Sequence, residues 1–227
     1  MKKLLFRIVL IVGTVVLLGS CAKKKDEETA ATAAADNTTS TDNTTSTTSY
    51  ISTTTTASGS ITMGDDTLSG VYASECLTSA STIAFFKATG FWASEVNAYG
   101  QVFVVTGSDN ISIELYAFTD TSCSNLSQCQ KTVSDNVTFG SASGSNYPVT
   151  YNNQTQALTV HTTAAETALE TLYSNALDFI VGTPIELPVS GSGLRYGLWT
   201  LSGTTWYEAS SSSATPTSAG TVPHVKQ

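Results

Sequence analysis

Between residues 111 and 117 the chain alternates strictly, with Ile111, Ile113, Leu115 and Ala117 on one parity and Ser112, Glu114 and Tyr116 on the other. Side chains of an extended strand point alternately to opposite faces, so this stretch reads as a half-buried strand ending at the Asp120 turn. Similar runs occupy 70–76, 101–106, 132–139, 148–151, 157–162, 184–189, 195–201 and 204–208. The last two flank Ser202-Gly203, a tight hairpin turn. Short strands at regular spacing, separated by Gly, Asn and Ser, predict a mostly β chain folded as an antiparallel, barrel-like domain over 61–210.

Thr163-Ala-Ala-Glu166 breaks the alternation as a capping box, and Leu169, Leu172, Tyr173 and Leu177 follow at three- and four-residue intervals. One amphipathic helix of about fourteen residues is expected there, lying on the sheet or plugging one end. Residues 83–95 fit two readings, a sheet pairing through Ile83, Phe85 and Phe86 or a helical turn around Phe91 and Trp92.

Residues 1–60 are of another kind. Lys2, Lys3 and Arg7 precede an apolar run from Ile8 to Leu18 that is too short for a membrane-spanning helix of about 20 residues, and it reads as a signal peptide over 1–20. The run ends Leu17-Leu18-Gly19-Ser20-Cys21, which resembles the lipobox of bacterial lipoproteins. That resemblance implies cleavage after Ser20 and a thioether-linked diacylglycerol on Cys21. Two or three acyl chains hold a protein to a membrane stably where one does not. Ala22 stands where Asp marks inner-membrane retention in enteric lipoproteins, so the resemblance points to the outer membrane. Between Asp26 and Ser60, 19 residues are Ser or Thr, and Tyr50 and Ile51 are the only large apolar ones. Nothing there offsets the entropy of ordering, so 21–60 is expected to be a disordered tether. The residues from 211 to 227 are expected to be a disordered tail.

Charge excludes one class of partner. From Ile61 onward only Lys87, Lys131, Arg195 and Lys226 are basic, against thirteen acidic residues. Phosphate-backbone binding needs clustered Lys and Arg, so no nucleic-acid partner is expected. The scattered carboxylates read as the solubility of an exported domain.

The domain also resembles, over about 60 residues, a class of small exported bacterial β-domains broadly similar to lipocalins. The resemblance is carried by Leu68-Ser-Gly70-Val-Tyr72, a Cys soon afterwards, and Tyr116-Ala-Phe-Thr-Asp120-Thr-Ser-Cys123. Tyr72 replaces the usual Trp. The resemblance implies an up-and-down barrel with some internal volume, and an Arg, here Arg195, packed over that aromatic.

With Cys21 lipidated, Cys76, Cys123 and Cys129 remain. One disulfide and one free thiol is the simplest outcome. Cys76–Cys123 is favoured, since closing the longer loop contributes about 4 kcal/mol against about half that for Cys123–Cys129. Cys76–Cys129 is the competitor. A reactive cysteine needs a basic neighbour, and the nearest, Lys131, reads as an exposed strand residue.

Only His161 and His224 exist, so no histidine-based metal site and no Ser-His-Asp array is expected. The loop from Gly191 to Gly197 is one residue too long for a dinucleotide loop, Gly140 to Gly144 carries Ala where a nucleophile elbow needs Ser, and Asp65-Asp66 lacks the spaced oxygens of a calcium loop. No catalytic residue and no cofactor is therefore expected. Phe85, Phe86, Phe91, Trp92, Phe103, Tyr116, Trp199 and Trp206 are expected mostly in the core, with Trp199 and Trp206 paired across the hairpin. These readings describe a lipid-anchored envelope protein carrying a noncatalytic binding module for a small apolar ligand or a surface partner. The alternative is a display lipoprotein with a solidly packed barrel. A catalytic reading would need Glu75, Asp120, Glu186 or His161 to converge in one deep cleft.

Overall fold

The computed structural model describes residues 49–189 and 191–227, so the signal peptide, Cys21 and the tether up to residue 48 lie outside the described residues. The strands are β1 (Ile61–Met63), β2 (Asp66–Leu68), β3 (Val71–Ala73), β4 (Ala98–Val105), β5 (Ile111–Phe118), β6 (Leu126–Phe139), β7 (Asn146–Val160), β8 (Pro184–Leu187), β9 (Leu194–Ser202), β10 (Thr205–Ser211) and β11 (Pro223–Lys226). The helices are α1 (Ala80–Ala88) and α2 (Thr163–Leu172). Eight strands close into an antiparallel barrel in the order β3-β4-β5-β6-β7-β9-β10-β11, with β11 returning to β3. Closure leaves these strands with no open edge.

The expected barrel is present, and so is the alternating strand: β5 pairs in register from Ala98↔Phe118 to Val105↔Ile111. Three expectations change. The segment taken as a disordered tail supplies β11, whose Val225 pairs with both Thr205 and Ala73 and thereby seals the barrel. The two short runs at 148–151 and 157–162 are halves of one fifteen-residue strand, β7. Its first half pairs with β9 and its second with β8, while β6 runs along its other side. The domain also begins before residue 61, because residues 50–58 are packed against the barrel wall.

α2 is shorter than expected and starts one residue earlier. Thr162 is the N-cap, its hydroxyl accepting from the Ala165 amide at 3.1 Å, so Glu166 falls outside the capping box. The same hydroxyl donates to Glu95, which also accepts from Ser127 Oγ at 2.8 Å, tying the α1–β4 connection to the start of β6 and the head of α2. The ambiguous 83–95 stretch is helical up to Ala88 and then turns at Gly90, whose φ of +78° suits glycine.

Register puts both helices at one rim. β4 starts there after α1, β5 ends there, β6 starts there, and β7 ends there before α2. The far mouth is plugged by the β1–β2 hairpin, which buries Ile61, Met63 and Leu68 in the core. Its Gly64 has no room for a side chain, since a Cβ would sit 2.6 Å from the Tyr147 ring.

Between the plugs the interior is filled. Trp206 lies 5.5 Å from Tyr72, 4.5 Å from Phe103 and 4.6 Å from Trp199, and Trp199 continues to Phe139 at 5.5 Å and Tyr151 at 5.8 Å, all as ring centroids. Register sets Trp206 opposite Leu201 and Trp199 opposite Glu208, so the two tryptophans expected as a direct cross-strand pair meet diagonally instead, as one contact in a longer aromatic column. Of the aromatics expected in the core, Phe85 is exposed and Tyr116 is buried on the outer wall instead. Arg195 is buried on β9 opposite Tyr151, and Lys226 Nζ lies 6.0 Å from the centroid of the Tyr72 ring.

Candidate functional site

The outer wall holds a second apolar cluster, Ile51, Ala73, Ala98, Val102, Val104, Tyr116, Phe118 and Cys129. Alternation assigns these outward positions of β3 to β6 to solvent. They are buried because the chain from Tyr50 to Ser58 runs up the wall as a strap. Tyr50 bridges Glu75 beside the helix-bearing rim, the Ile51 amide donates to Ser74 O at 3.1 Å, and the Ser58 amide reaches Val105 O at 2.9 Å near the far mouth.

The strap is held by shape and by charge. Ile51 sits in a notch at Gly100, where a Cβ would approach Ile51 Cγ1 to 2.2 Å. Beyond it, Glu114 is buried on the outward parity of β5. Its carboxylate accepts from Thr53 Oγ1 and Tyr116 OH, each at 2.5 Å, from Thr55 Oγ1, and from Ser112 Oγ at 3.4 Å. Lys131 Nζ lies 3.4 Å from the same carboxylate and donates to Thr55 Oγ1. Lys131 is thus 15% exposed and ion-paired, not the solvated strand residue expected. A buried carboxylate persists when its charge is matched and its lone pairs are occupied, and this one is. Burial and the adjacent Glu114 charge push the Tyr116 hydroxyl far above the usual phenol range.

The notch gives a direct test. Gly100→Val should drive Ile51 out and free the strap, seen as at least a tenfold faster amide exchange at residues 51–58, with exchange in β9 and β10 unchanged. Equal exchange in both chains would mean that Ile51 does not hold the strap.

At the rim end of the strap the wall opens into a cavity of about 460 Å³. One side is the strap from Ser49 to Thr54; the other is Tyr116, Phe118 and Leu126, closed by Cys76 and Cys123 with Ser122 and Ser124. The two cysteines form the favoured disulfide, Cα–Cα 5.8 Å. Asp120 shapes the loop that presents Cys123: its carboxylate accepts from Ser122 N and Oγ, Ser124 N and Asn125 N. The Ser122 hydroxyl first, and then the backbone amides, hold that carboxyl well below the usual range. The turn also carries the positive φ of Cys123, 55°. The third cysteine, Cys129, is fully buried, and the expectation of a free thiol is not met, because the structure records no free thiol among the described residues. Among the described residues that line the cavity there is no Asp, Glu, Lys, Arg or His. It suits a neutral ligand with apolar surface and a few hydroxyl contacts.

Other candidate residues lie apart. Glu75 is exposed opposite Tyr50, Asp120 serves its own loop, Glu186 is exposed on β8 opposite Ala157, and His161 follows β7 with its amide on Ser127 O. Among the described residues no group of His, Cys, Asp and Glu is placed to hold a metal. Asp65 and Asp66 belong to the β1–β2 hairpin, and the loops at 140–144 and 191–193 join strands.

Burial shifts several ionisable groups inside the barrel, and two of them, Glu208 and His224, change charge between pH 4 and 7. Burial pushes the Glu208 carboxyl up to about 7, against a smaller opposing effect of the Ser210 hydroxyl. Burial pulls His224 down to about 4, although Trp206 O faces its ring at 3.3 Å. Glu208 therefore contributes stability that is present at low pH and lost as pH rises from about 4.5 to 7. His224 contributes stability that is present above pH 6.5 and lost as pH falls towards 4. The two oppose each other between pH 4.5 and 6.5, so the wild-type profile should be nearly flat there. Glu208→Gln should unmask the histidine, and its stability relative to wild type should grow by about 2 kcal/mol from pH 4.5 to 7, a value discounted for the partial exposure of residue 208. Urea midpoints across that range measure it, and parallel profiles would refute it.

Sequence reasoning missed the strap, Glu114 and the cavity together, since each depends on residues 50–58 lying on the wall. The signal was Tyr50-Ile51, the one large apolar pair in the Ser/Thr-rich segment. No protein-family model matches this chain, and no curated protein is similar to it.

Proposed function

We propose that this chain is a lipid-anchored envelope protein, held through Cys21 on a Ser/Thr-rich stalk, whose barrel is a noncatalytic binding module for a small neutral apolar ligand. The observation that carries the reading is the 460 Å³ cavity on the outer wall, whose described lining, with Tyr116, Phe118, Leu126 and the disulfide, is uncharged. The aromatic column occupies the interior where a lipocalin-like barrel would hold its ligand, which supports reading the site on the wall.

That same filled interior favours a second reading, a display protein whose barrel is a rigid head. Native mass spectrometry of protein taken from its own membranes separates the two. A reproducible neutral adduct that disappears in Leu126→Trp, which fills the cavity, supports the binding module. A bare domain supports display. The mass of the N-terminal peptide tests the anchor independently: a diacylglyceryl-modified Cys21 is expected, and an unmodified terminus there, or cleavage elsewhere, overturns it.

A further inference from the structure

Among the described residues, three large hydrophobic side chains are exposed: Phe85 at 48%, Ile180 at 54% and Val181 at 43%. Register places all three at the helix-bearing rim. Phe85 is on α1, which leads into the first residue of β4. Ile180 and Val181 precede β8, whose Pro184 pairs with Thr159 near the end of β7, and the Gly182 amide donates to Val160 O at 2.8 Å.

α1 turns Ile83 and Phe86 to the core and leaves Ala80, Ser81, Ala84, Phe85 and Ala88 exposed, with Thr82 half-exposed and Lys87 its only charge. A helix on a soluble surface ordinarily turns a charged, polar face outward, and an outer face this poor in charge around an exposed phenylalanine marks a surface that meets a partner. Residues 180–184 continue the uncharged surface.

What covers this rim follows from where the stalk enters. The described chain begins at Ser49, beside Tyr50, Phe118 and Leu126, which is the same rim. Residues 21–48 as a soft coil average roughly 30 Å end to end, which sets an effective concentration in the millimolar range for a weak contact between this rim and whatever holds Cys21. The far mouth, carrying the Gly203-Thr204 turn, is a further ~20 Å away along the tilted strands.

We infer that the rim formed by the outer face of α1 and residues 180–184 is a membrane-docking surface, and that its occupant is an uncharged or zwitterionic lipid surface. An anionic one is disfavoured, because the whole chain carries a formal charge of −8 and Glu75 and Asp178 are exposed near this rim. This inference rests on the reading of residues 1–48 as a leader and membrane tether, so its test supplies a tether of its own.

The chain from residue 22 onward, with an N-terminal histidine tag in place of Cys21, is held on phosphatidylcholine vesicles containing a nickel-chelating lipid and brominated acyl chains. Two variants report on the two ends: Phe85→Trp at the docking rim and Ser202→Trp at the far mouth. Bromine quenching should remove at least a third of the added emission in Phe85→Trp and leave the added emission in Ser202→Trp unchanged. Adding Ile180→Ser and Val181→Ser to the first variant should halve the quenching, and replacing half the lipid by phosphatidylglycerol should lower it. Equal quenching of both reporters, or none of either, overturns the inference. So does an unquenched Phe85→Trp chain that forms dimers by light scattering, because a second copy then covers the rim. The modification state of native Cys21 affects none of these outcomes.

Discussion

A chain ending at Ser211 should not fold. Deleting residues 212–227 removes β11, which pairs with β10 through Thr205↔Val225, Trp206↔His224 and Tyr207↔Pro223 and with β3 through Val225↔Ala73 and Lys226↔Tyr72. Both neighbours lose their ladder partner at once, and the closed barrel becomes a sheet with two open edges over an exposed aromatic core. His224 goes too, and with it a buried ring that packs edge-on to Phe103 at 4.7 Å and lies 3.2 Å from Gln101 Oε1. The loop before β11 is packed as well, since Gly220 approaches the Glu208 carbonyl so closely that a Cβ would stand 1.9 Å away. A loss above about 5 kcal/mol is expected, comparable to the whole stability of a domain this size. The truncated chain should show no cooperative thermal transition and collapsed amide dispersion by NMR. A melting temperature within a few degrees of the full chain would return 211–227 to the status of a disordered tail.

The reason that tail was unreadable bears on the whole fold. Its Ser, Pro and Gly content matches a linker, and β11 is four residues long with Pro223 at its first position, one of the places a strand tolerates proline. Its inward residue is histidine, so no apolar alternation marks it. β7 was split for a similar reason: Asn152-Asn153-Gln154 are turn formers, yet Asn153 faces inward and accepts from Ser134 Oγ at 3.0 Å across a register shift in β6. The inward face of β6 is itself polar through Gln128, Gln130, Thr132 and Ser134, which conceals its parity. β5 was legible because its inward positions are Ile111, Ile113, Leu115 and Ala117, and β9 and β10 were marked by Trp199, Leu201 and Trp206 near their shared turn, although Arg195 and Glu208 also point inward. The outer-wall site was illegible for the opposite reason. Glu114 and Tyr116 fall on the parity that reads as solvent-facing, and they are covered by threonines drawn from a segment whose composition denies it structure. Local pattern reports which face of a strand is apolar; it does not report that a distant polar segment will cover the other face.

Trp206→Ala tests whether the interior is as full as the ring contacts describe. Trp206 is fully buried and touches Tyr72, Phe103 and Trp199, so its removal takes the centre out of the aromatic column. Truncating a buried tryptophan costs about 3–5 kcal/mol, the lost transfer energy plus the void left when neighbours relax only in part. Those neighbours sit on β3, β4 and β9 of a closed ring of strands, which restricts relaxation and places the expected loss at the upper end. Trp206→Phe keeps a ring in the column and should lose about 1–2 kcal/mol. Trp199→Ala combined with Trp206→Ala should lose less than the sum of the single losses, because the two rings share one contact and one void. Urea midpoints give all three. The void also has a chemical assay. Added indole should raise the melting temperature of Trp206→Ala by mass action on the folded state and leave wild type unmoved. Indole stabilising wild type in a way that survives Leu126→Trp would place an open cavity inside the barrel and return the ligand site from the wall to the interior.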